Sequence, residues 1–187
     1  MDRFLVPALW IGWGAYWWAL SVHVKAAARR ESVASRLLHV VPLLLAAILL
    51  WLPRLRVGVL DERFVPFAAW PFWTGAALTL VGLLFTVWAR VHLGSNWSGI
   101  VTVKEGHELI TSGPYGIVRH PIYTGLLLAF IGSAIARGEW RGVLAVALVV
   151  GALSRKLRLE ERWMREQFGN AYQAYSQRVA ALVPFLL

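Results

Sequence analysis

Five apolar stretches, separated by short polar segments, divide this chain of 187 residues and limit what it can fold into. They run roughly from Phe4 to Val24, Leu37 to Leu52, Phe67 to Ala89, Ile122 to Ala136 and Val143 to Leu153. A straight transmembrane helix needs about 20 mainly apolar residues. The last two stretches are short, and we expect them to pair as a helical hairpin joined by residues 137–141. The pattern predicts an all-α, multi-pass integral membrane bundle of about five transmembrane helices.

The composition agrees with a membrane protein and argues against several other classes. The chain is 58% hydrophobic and only 16% charged, and its 11 tryptophans suit the interface between lipid and water. The net charge of +9 lies between apolar stretches, which indicates contact with anionic membrane lipids and not with nucleic acid. Cysteine is absent and the five histidines lack ligand spacing, so no metal site is predicted.

The distribution of basic residues predicts the orientation in the membrane. Of the 19 Lys and Arg residues, six fall on one side of the predicted spans and the other 13 on the opposite side. Positive charge concentrates in cytoplasmic loops, so the richer side is expected to be cytoplasmic. This places the N-terminus outside and the C-terminus inside. The six outer residues are Arg3, Arg54, Arg56, Arg63, Arg137 and Arg141.

We expect a single domain, residues 1–187, with two functional halves. Residues 1–90 supply three N-terminal spans, and residues 91–187 supply the hairpin together with two polar segments. The first polar segment, 91–121, is a glycine-containing loop, and the second reads as an amphipathic C-terminal helix from Arg155 to about Ser176. Both lie on the predicted cytoplasmic side, where we place the chemistry.

The loop ends in the segment 111–125, which is rich in turn residues. Gly113-Pro114 and Tyr115-Gly116 are typical of turns, and Pro121 suits the first turn of a helix. The simplest interpretation is a helix start with interfacial side chains at 119, 120 and 123. The glycines at 113, 116 and 125 would also allow the backbone to approach a flat ligand closely.

The C-terminal helix carries a carboxylate on its apolar face. Leu153, Leu157, Glu160, Met164 and Phe168 follow helical spacing, so Glu160 interrupts a hydrophobic stripe. A carboxylate facing an apolar bundle needs a partner, either Lys156 one turn earlier or a cationic ligand such as a sulfonium with an α-ammonium group. Glu161 is expected to point elsewhere, as a surface ion pair with Arg158 and Arg165.

These segments resemble the isoprenylcysteine carboxyl methyltransferase family, which belongs to a wider group with the phospholipid N-methyltransferases. The resemblance covers roughly the C-terminal half of the chain. The matching residues are His107-Glu108-Leu109-Ile110, Gly113-Pro114-Tyr115, Arg119-His120-Pro121-Ile122-Tyr123, Glu160-Glu161, Phe168-Gly169, Tyr172, Tyr175 and Pro184-Phe185.

The resemblance implies an S-adenosyl-L-methionine-dependent methyltransferase with a cytoplasmic cofactor pocket and no metal. It assigns the cofactor to His107, Glu108, Leu109, Ile110, Gly113, Tyr115, Arg119, His120, Pro121, Ile122, Tyr123, Glu160 and Glu161. The family's acceptor-binding Arg corresponds to Lys156, with Arg158 as the other candidate. Lys cannot grip a carboxylate through two parallel hydrogen bonds as Arg does, so the acceptor stays open among carboxylates, thiols and amines.

Three functions remain open from the sequence. The first is methylation of a prenylated or other lipophilic carboxylate or thiol, and the second is phospholipid N-methylation. The third is a non-catalytic membrane protein on the same scaffold. For an enzyme, we expect the lipophilic acceptor to enter sideways from the bilayer, through space that small residues such as Gly132 and Ala136 leave between helices.

Overall fold

The computed structural model describes residues 4–20, 27–52, 58–94, 102–104 and 109–184, most of which are helical. In an apolar chain, backbone N–H and C=O groups find hydrogen-bond partners most simply within helices, which explains the high proportion of helix. The α-helices are α1 (Leu5–Leu20), α2 (Val33–Trp51), α3 (Ala69–Leu93), α4 (Pro121–Arg137), α5 (Trp140–Phe168) and α6 (Asn170–Ser176). Two short 3₁₀ turns, Gly58–Asp61 and Gly113–Gly116, lie in the connections. The helical fold class is thus confirmed.

A short antiparallel ribbon accompanies the helices. It pairs β1 (Ala27–Arg30) with β2 (Thr102–Lys104). The ribbon joins the segment that precedes α2 to the loop that follows α3. It therefore brings the N-terminal half of the chain to the side where the loop 91–121 was predicted to carry chemistry.

Two of the described helices, α2 with 19 residues and α3 with 25, are long and apolar enough to cross a membrane. Helix α4 is apolar but has only 17 residues, and α1 has 16. The predicted total of about five spans, and their orientation, stay predictions.

Helix α5 corrects the predicted division of the C-terminal half. The fifth apolar stretch and the amphipathic helix were expected as separate elements, but α5 runs without a break for 29 residues. Between Trp140 and Phe168 there is no proline, and the two glycines, Gly142 and Gly151, are tolerated by a long helix. The break comes at Gly169, whose φ of 50° is in the left-handed region. The hairpin itself is confirmed, with α4 capped by Gly138 at φ 75°.

Small residues hold α3 and α4 in close contact. A Cβ atom on Gly132 would lie 2.5 Å from the Thr79 nitrogen, and one on Gly82 would lie 2.5 Å from the Gly125 oxygen. The expectation of an acceptor passage beside Gly132 and Ala136 is therefore wrong: α3 fills that space with its backbone, as small-residue faces do when membrane helices pack.

Arginines fix the turn end of the α4–α5 hairpin to α2. Arg141 is buried, pairs with Glu139 at 2.5 Å and donates to the Leu52 carbonyl at 3.4 Å. Arg137 donates to the Leu50 carbonyl. These bonds satisfy carbonyl groups that the last turn of α2 leaves open.

Candidate active site

The polar groups singled out in the C-terminal half meet at the end of α5 distant from Arg141. Residues 118–123, at the start of α4, lie against Glu160 and Glu161 of α5 and against the tail after α6. Helix α4 begins at Pro121, whose ring suits the first turn, so the chain enters the bundle directly from His120. Pro121 is buried and Ile122 packs beside the core.

Glu160 lies at the centre of a polar cluster, as the helical spacing predicted. The Tyr123 hydroxyl group donates to its Oε1 at 2.5 Å, and Lys156 Nζ lies 3.9 Å from the same oxygen. His120 Nδ1 is 3.6 Å from Oε2, beyond hydrogen-bond length. Of the two partners considered for Glu160, Lys156 and a cationic ligand, the structure places Lys156 within ion-pair distance. Oε2 keeps capacity to accept a further hydrogen bond.

Glu161 is buried, which corrects its expected place on the surface. Arg165 does pair with it at 2.8 Å, as expected for an i,i+4 pair, but Arg158 donates instead to the Ser154 carbonyl. Arg119 binds Glu161 Oε1 through Nε at 3.0 Å and Nη2 at 2.7 Å. The surface expectation failed because residues 118–120 cover this face of α5.

The two glutamates and His120 shift each other's proton affinity. Burial raises the pKa of Glu161, but the nearby His120 and the hydrogen bonds from Arg119 outweigh it and lower the pKa to about 2. Burial also raises the pKa of Glu160, yet His120 and Lys156 hold the net value below the ordinary one. Burial lowers the pKa of His120, and the two carboxylates, 3.5–3.6 Å from its ring nitrogens, more than reverse this, so the pKa is raised. At neutral pH both carboxylates are ionised.

This coupling predicts a loss of stability at alkaline pH. Because the pKa of folded His120 is raised above the ordinary 6.5, its charge stabilises the fold fully below that pH and less as pH rises through the folded value. The unfolding temperature of purified protein should therefore fall more between pH 6 and 9 for the wild type than for His120→Gln. Equal declines for both proteins would contradict the assignment.

The C-terminal tail closes the site from one side. The backbone nitrogens of Arg119 and His120 donate to the Ala180 and Ala181 carbonyls at 2.8 and 3.0 Å. The Arg119 guanidinium also donates to the carbonyls of Ser176 and Val179. Arg119, predicted to bind cofactor, is thus engaged with Glu161 and the tail.

Tyr115 and Gly113 lie in a second part of the predicted pocket. The Tyr115 carbonyl accepts a bond of 2.6 Å from the Tyr175 hydroxyl group, and the Tyr115 ring stacks with His92. At Gly113 the close approach is to the His92 ring, 2.7 Å from where a Cβ atom would lie. Burial raises the pKa of Tyr115, so its hydroxyl group stays protonated. Leu109 and Ile110 are half-buried, while His107 and Glu108 lie outside the described residues.

Four polar residues that the sequence did not single out adjoin the Glu160 cluster. The Ser35 hydroxyl group donates to Glu31 Oε1 at 2.6 Å, and Arg155 donates to Ser35 at 2.7 Å. His39 Nδ1 lies 3.3 Å from Arg155 Nη1 and 3.7 Å from Glu31 Oε1. Arg155 precedes Lys156 on α5, so this group and the Glu160 cluster lie at the same end of the helix. Of these four residues, only His39 could have been noticed in the sequence, as a polar residue within an apolar stretch.

An open, mainly apolar groove of about 350 Å³ lies between α5 and the tail. It is lined by Ser154, Leu157, Arg158, Ala181, Leu182 and Val183. Arg158 therefore faces this groove, whereas Lys156 lies beside Glu160. Among the described residues no group of three His, Asp or Glu side chains is arranged to hold a metal ion.

Several curated relatives are similar to part of the chain. Protein-S-isoprenylcysteine O-methyltransferase B of Arabidopsis thaliana is 30% identical over 115 residues, 60% of this chain and 58% of the plant protein. A cobalt-zinc-cadmium resistance protein of Cupriavidus metallidurans is 32% identical over 117 residues, 61% of this chain and 52% of that protein. Methanethiol S-methyltransferase 1 of Bradyrhizobium diazoefficiens is 35% identical over 74 residues, 38% and 24% of the two chains.

The chain thus spans about 58% of the length of the Arabidopsis relative. These similarities confirm the resemblance drawn from the motifs. The model of the phospholipid methyltransferase family matches residues 70–171, which include α3, α4, α5 and the cluster around Glu160. Since that match covers more than half of the sequence, the chain belongs to the phospholipid methyltransferase family.

Proposed function

We propose that this chain is an integral membrane methyltransferase that transfers the methyl group of S-adenosylmethionine to a lipophilic acceptor. The observation that carries the proposal is the Glu160 carboxylate, oriented by Tyr123 and Lys156 within the matched region and able to accept a further bond at Oε2. The activities in the names of two relatives, O- and S-methylation, support methyl transfer to a nucleophilic head group.

The residues of the cluster fit a cationic cofactor. Glu160 is ionised and its side chain is 23% exposed, so an ammonium group can reach Oε2. Tyr123 and His120, stacked at 5.4 Å, form a flat wall beside it. When bound, the cofactor supplies an activated methyl group on a sulfonium, which needs neither a metal nor a covalent enzyme intermediate.

The remaining tasks fall to the chain itself. Methyl transfer by in-line displacement requires alignment of the acceptor and exclusion of water. Glu160 holds the cationic end of the cofactor, and the tail docked on residues 118–120 shields that end from solvent. Lys156, beside Glu160, orients the acceptor, whereas Arg158 lines the groove between α5 and the tail.

We further propose that five segments span the membrane, with the N-terminus outside and this site at the cytoplasmic surface. The support is the excess of Lys and Arg on one side of the spans and the apolar lengths of α2 and α3. Orientation matters to the function because S-adenosylmethionine is a cytosolic compound. The acceptor, being lipophilic, reaches the site from the bilayer.

Replacing Glu160 by Gln should weaken binding of S-adenosylmethionine about ten- to a hundredfold, because one charge-assisted contact of about 1.5–3 kcal/mol is lost. Calorimetry on detergent-purified protein measures the dissociation constant. The matched control is Glu166→Gln, six residues further along the same helix and exposed, which should leave binding unchanged. Similar binding by all three proteins would exclude Glu160 from the cofactor site.

Activity itself is tested with labelled S-adenosylmethionine on membranes from the native host, followed by identification of the labelled lipid-phase product. A labelled product that the Glu160→Gln protein does not form supports the enzyme. Absence of both product and cofactor binding would favour the non-catalytic scaffold.

A further inference from the structure

The carboxylate of Glu31 is buried with one oxygen unsatisfied. Glu31 lies just before the N-cap of α2, Ser32, and its side chain is 1% exposed. Oε1 accepts from the Ser35 hydroxyl group at 2.6 Å, but Oε2 has no hydrogen-bond partner among the described residues. An unpaired buried acceptor costs about 1–3 kcal/mol, more when it is charged, so such an oxygen calls for a ligand that donates to it.

Glu31 belongs to the same site as Glu160. Glu31 forms an ion pair with Arg155, which directly precedes Lys156 on α5, and Lys156 is an ion-pair partner of Glu160. The open oxygen of Glu31 thus lies on the α2 side of the cluster in which we place the transfer.

Two cations near Glu31 among the described side chains, Arg155 and Lys156, are already paired with carboxylates. Arg155 lies 3.6 Å from Glu31 and donates to Ser35, and Lys156 lies 3.9 Å from Glu160. A carboxylate head group placed beside Glu31 would add a third negative charge to those of Glu31 and Glu160. A head group that carries a proton would instead satisfy Oε2.

We propose that Glu31 selects the methyl acceptor: its Oε2 accepts a hydrogen bond from an amine or thiol head group, and its charge disfavours a carboxylate. The inference rests on the proposed methyltransferase function and narrows its substrate class. Glu31 acts here through binding and orientation of the acceptor.

The test compares three acceptors that share one twelve-carbon chain: dodecylamine, dodecanethiol and dodecanoic acid. The wild-type protein should use the amine or the thiol with a kcat/KM at least about tenfold above that for the acid, the effect of one charged contact. Glu31→Gln should reduce that ratio about tenfold or more, mainly through KM. Glu62→Gln, exposed in the α2–α3 connection, is the matched control and should keep the wild-type ratio.

Glu31→Asp keeps the negative charge, but its shorter side chain moves the carboxylate oxygens away from the acceptor. This variant is used if Glu31→Gln fails to fold. It should raise the KM for the amine or thiol and leave the KM for the acid high. An unchanged ratio in both variants, or a wild-type preference for the acid, would overturn the proposal. So would a loss of S-adenosylmethionine affinity at constant acceptor preference, since Glu31 would then hold the cofactor. If the wild-type protein neither binds cofactor nor methylates any acceptor, the proposed function itself fails.

Discussion

Glu161→Gln should destabilise the folded protein by about 3–5 kcal/mol, the usual consequence of removing one partner from a buried ion pair. The substitution leaves the Arg119 guanidinium, whose side chain is 10% exposed, without its carboxylate. Arg119 also donates hydrogen bonds to the Ser176 and Val179 carbonyls, so the substitution should also loosen the packing of residues 176–181. Thermal unfolding in detergent, read by tryptophan fluorescence, measures the effect.

The matched control is Arg165→Gln, which removes the other cation of Glu161. The Arg165 side chain is 57% exposed, and exposed pairs contribute about 0–1 kcal/mol, so the control should melt close to the wild type. The pKa of Glu161, lowered to about 2, adds a test at acid pH. Its stabilisation is complete above the ordinary value of 4.5 and is lost as pH falls toward 2, a decline that Glu161→Gln should lack. A Gln variant as stable as the wild type would contradict the buried pair.

Gly132→Ala should separate α3 from α4 at a cost near or above about 3 kcal/mol, the upper range for overpacking. The added methyl would meet the Thr79 nitrogen at 2.5 Å and the Gly75 oxygen at 2.6 Å. Both are backbone atoms of a helix, so they cannot move aside as a flexible side chain would. The yield of monodisperse protein and its unfolding temperature measure the effect.

Gly151→Ala is the control for this substitution. Gly151 lies within α5, and a Cβ atom there would meet nothing within 4 Å. Alanine should therefore stabilise the helix by roughly 0.5–1 kcal/mol relative to glycine. If Gly132→Ala proved as harmless as Gly151→Ala, the close packing of α3 on α4 would be wrong.

Periodicity predicted the position of Glu160 but not that of Glu161, for a physical reason. Spacing along α5 identifies which residues share the helix face that packs on the bundle, and Glu160 is among them. It does not reveal that a second element covers the adjoining face. Residues 118–120 and the tail do so through Arg119, 42 residues from Glu161, so the burial of Glu161 depends on a contact between distant segments.

The small residues and the Glu31 group show the same limit. Glycine at 125 and 132 is compatible with a cavity or with close helix contact, and only the position of α3 decides for contact. Glu31 and Arg155, more than a hundred residues apart, meet because α2 packs along α5. The presence of helices, the hairpin and the polar end of the bundle could be predicted from local sequence patterns. Contacts between side chains on different helices could not.

Helix α5 joins the two ends of the protein as one continuous rod. Arg141 is fixed to the carbonyls that end α2, and Glu160 lies 19 residues further along, about 28 Å at the rise of an α-helix. That separation is close to the thickness of the hydrocarbon layer, about 30 Å. In the membrane topology proposed above, α5 would adapt to a thinner or thicker bilayer by tilting, and tilt would move Glu160 relative to Tyr123 and His120. The geometry of the proposed methyl-transfer site would then depend on bilayer thickness.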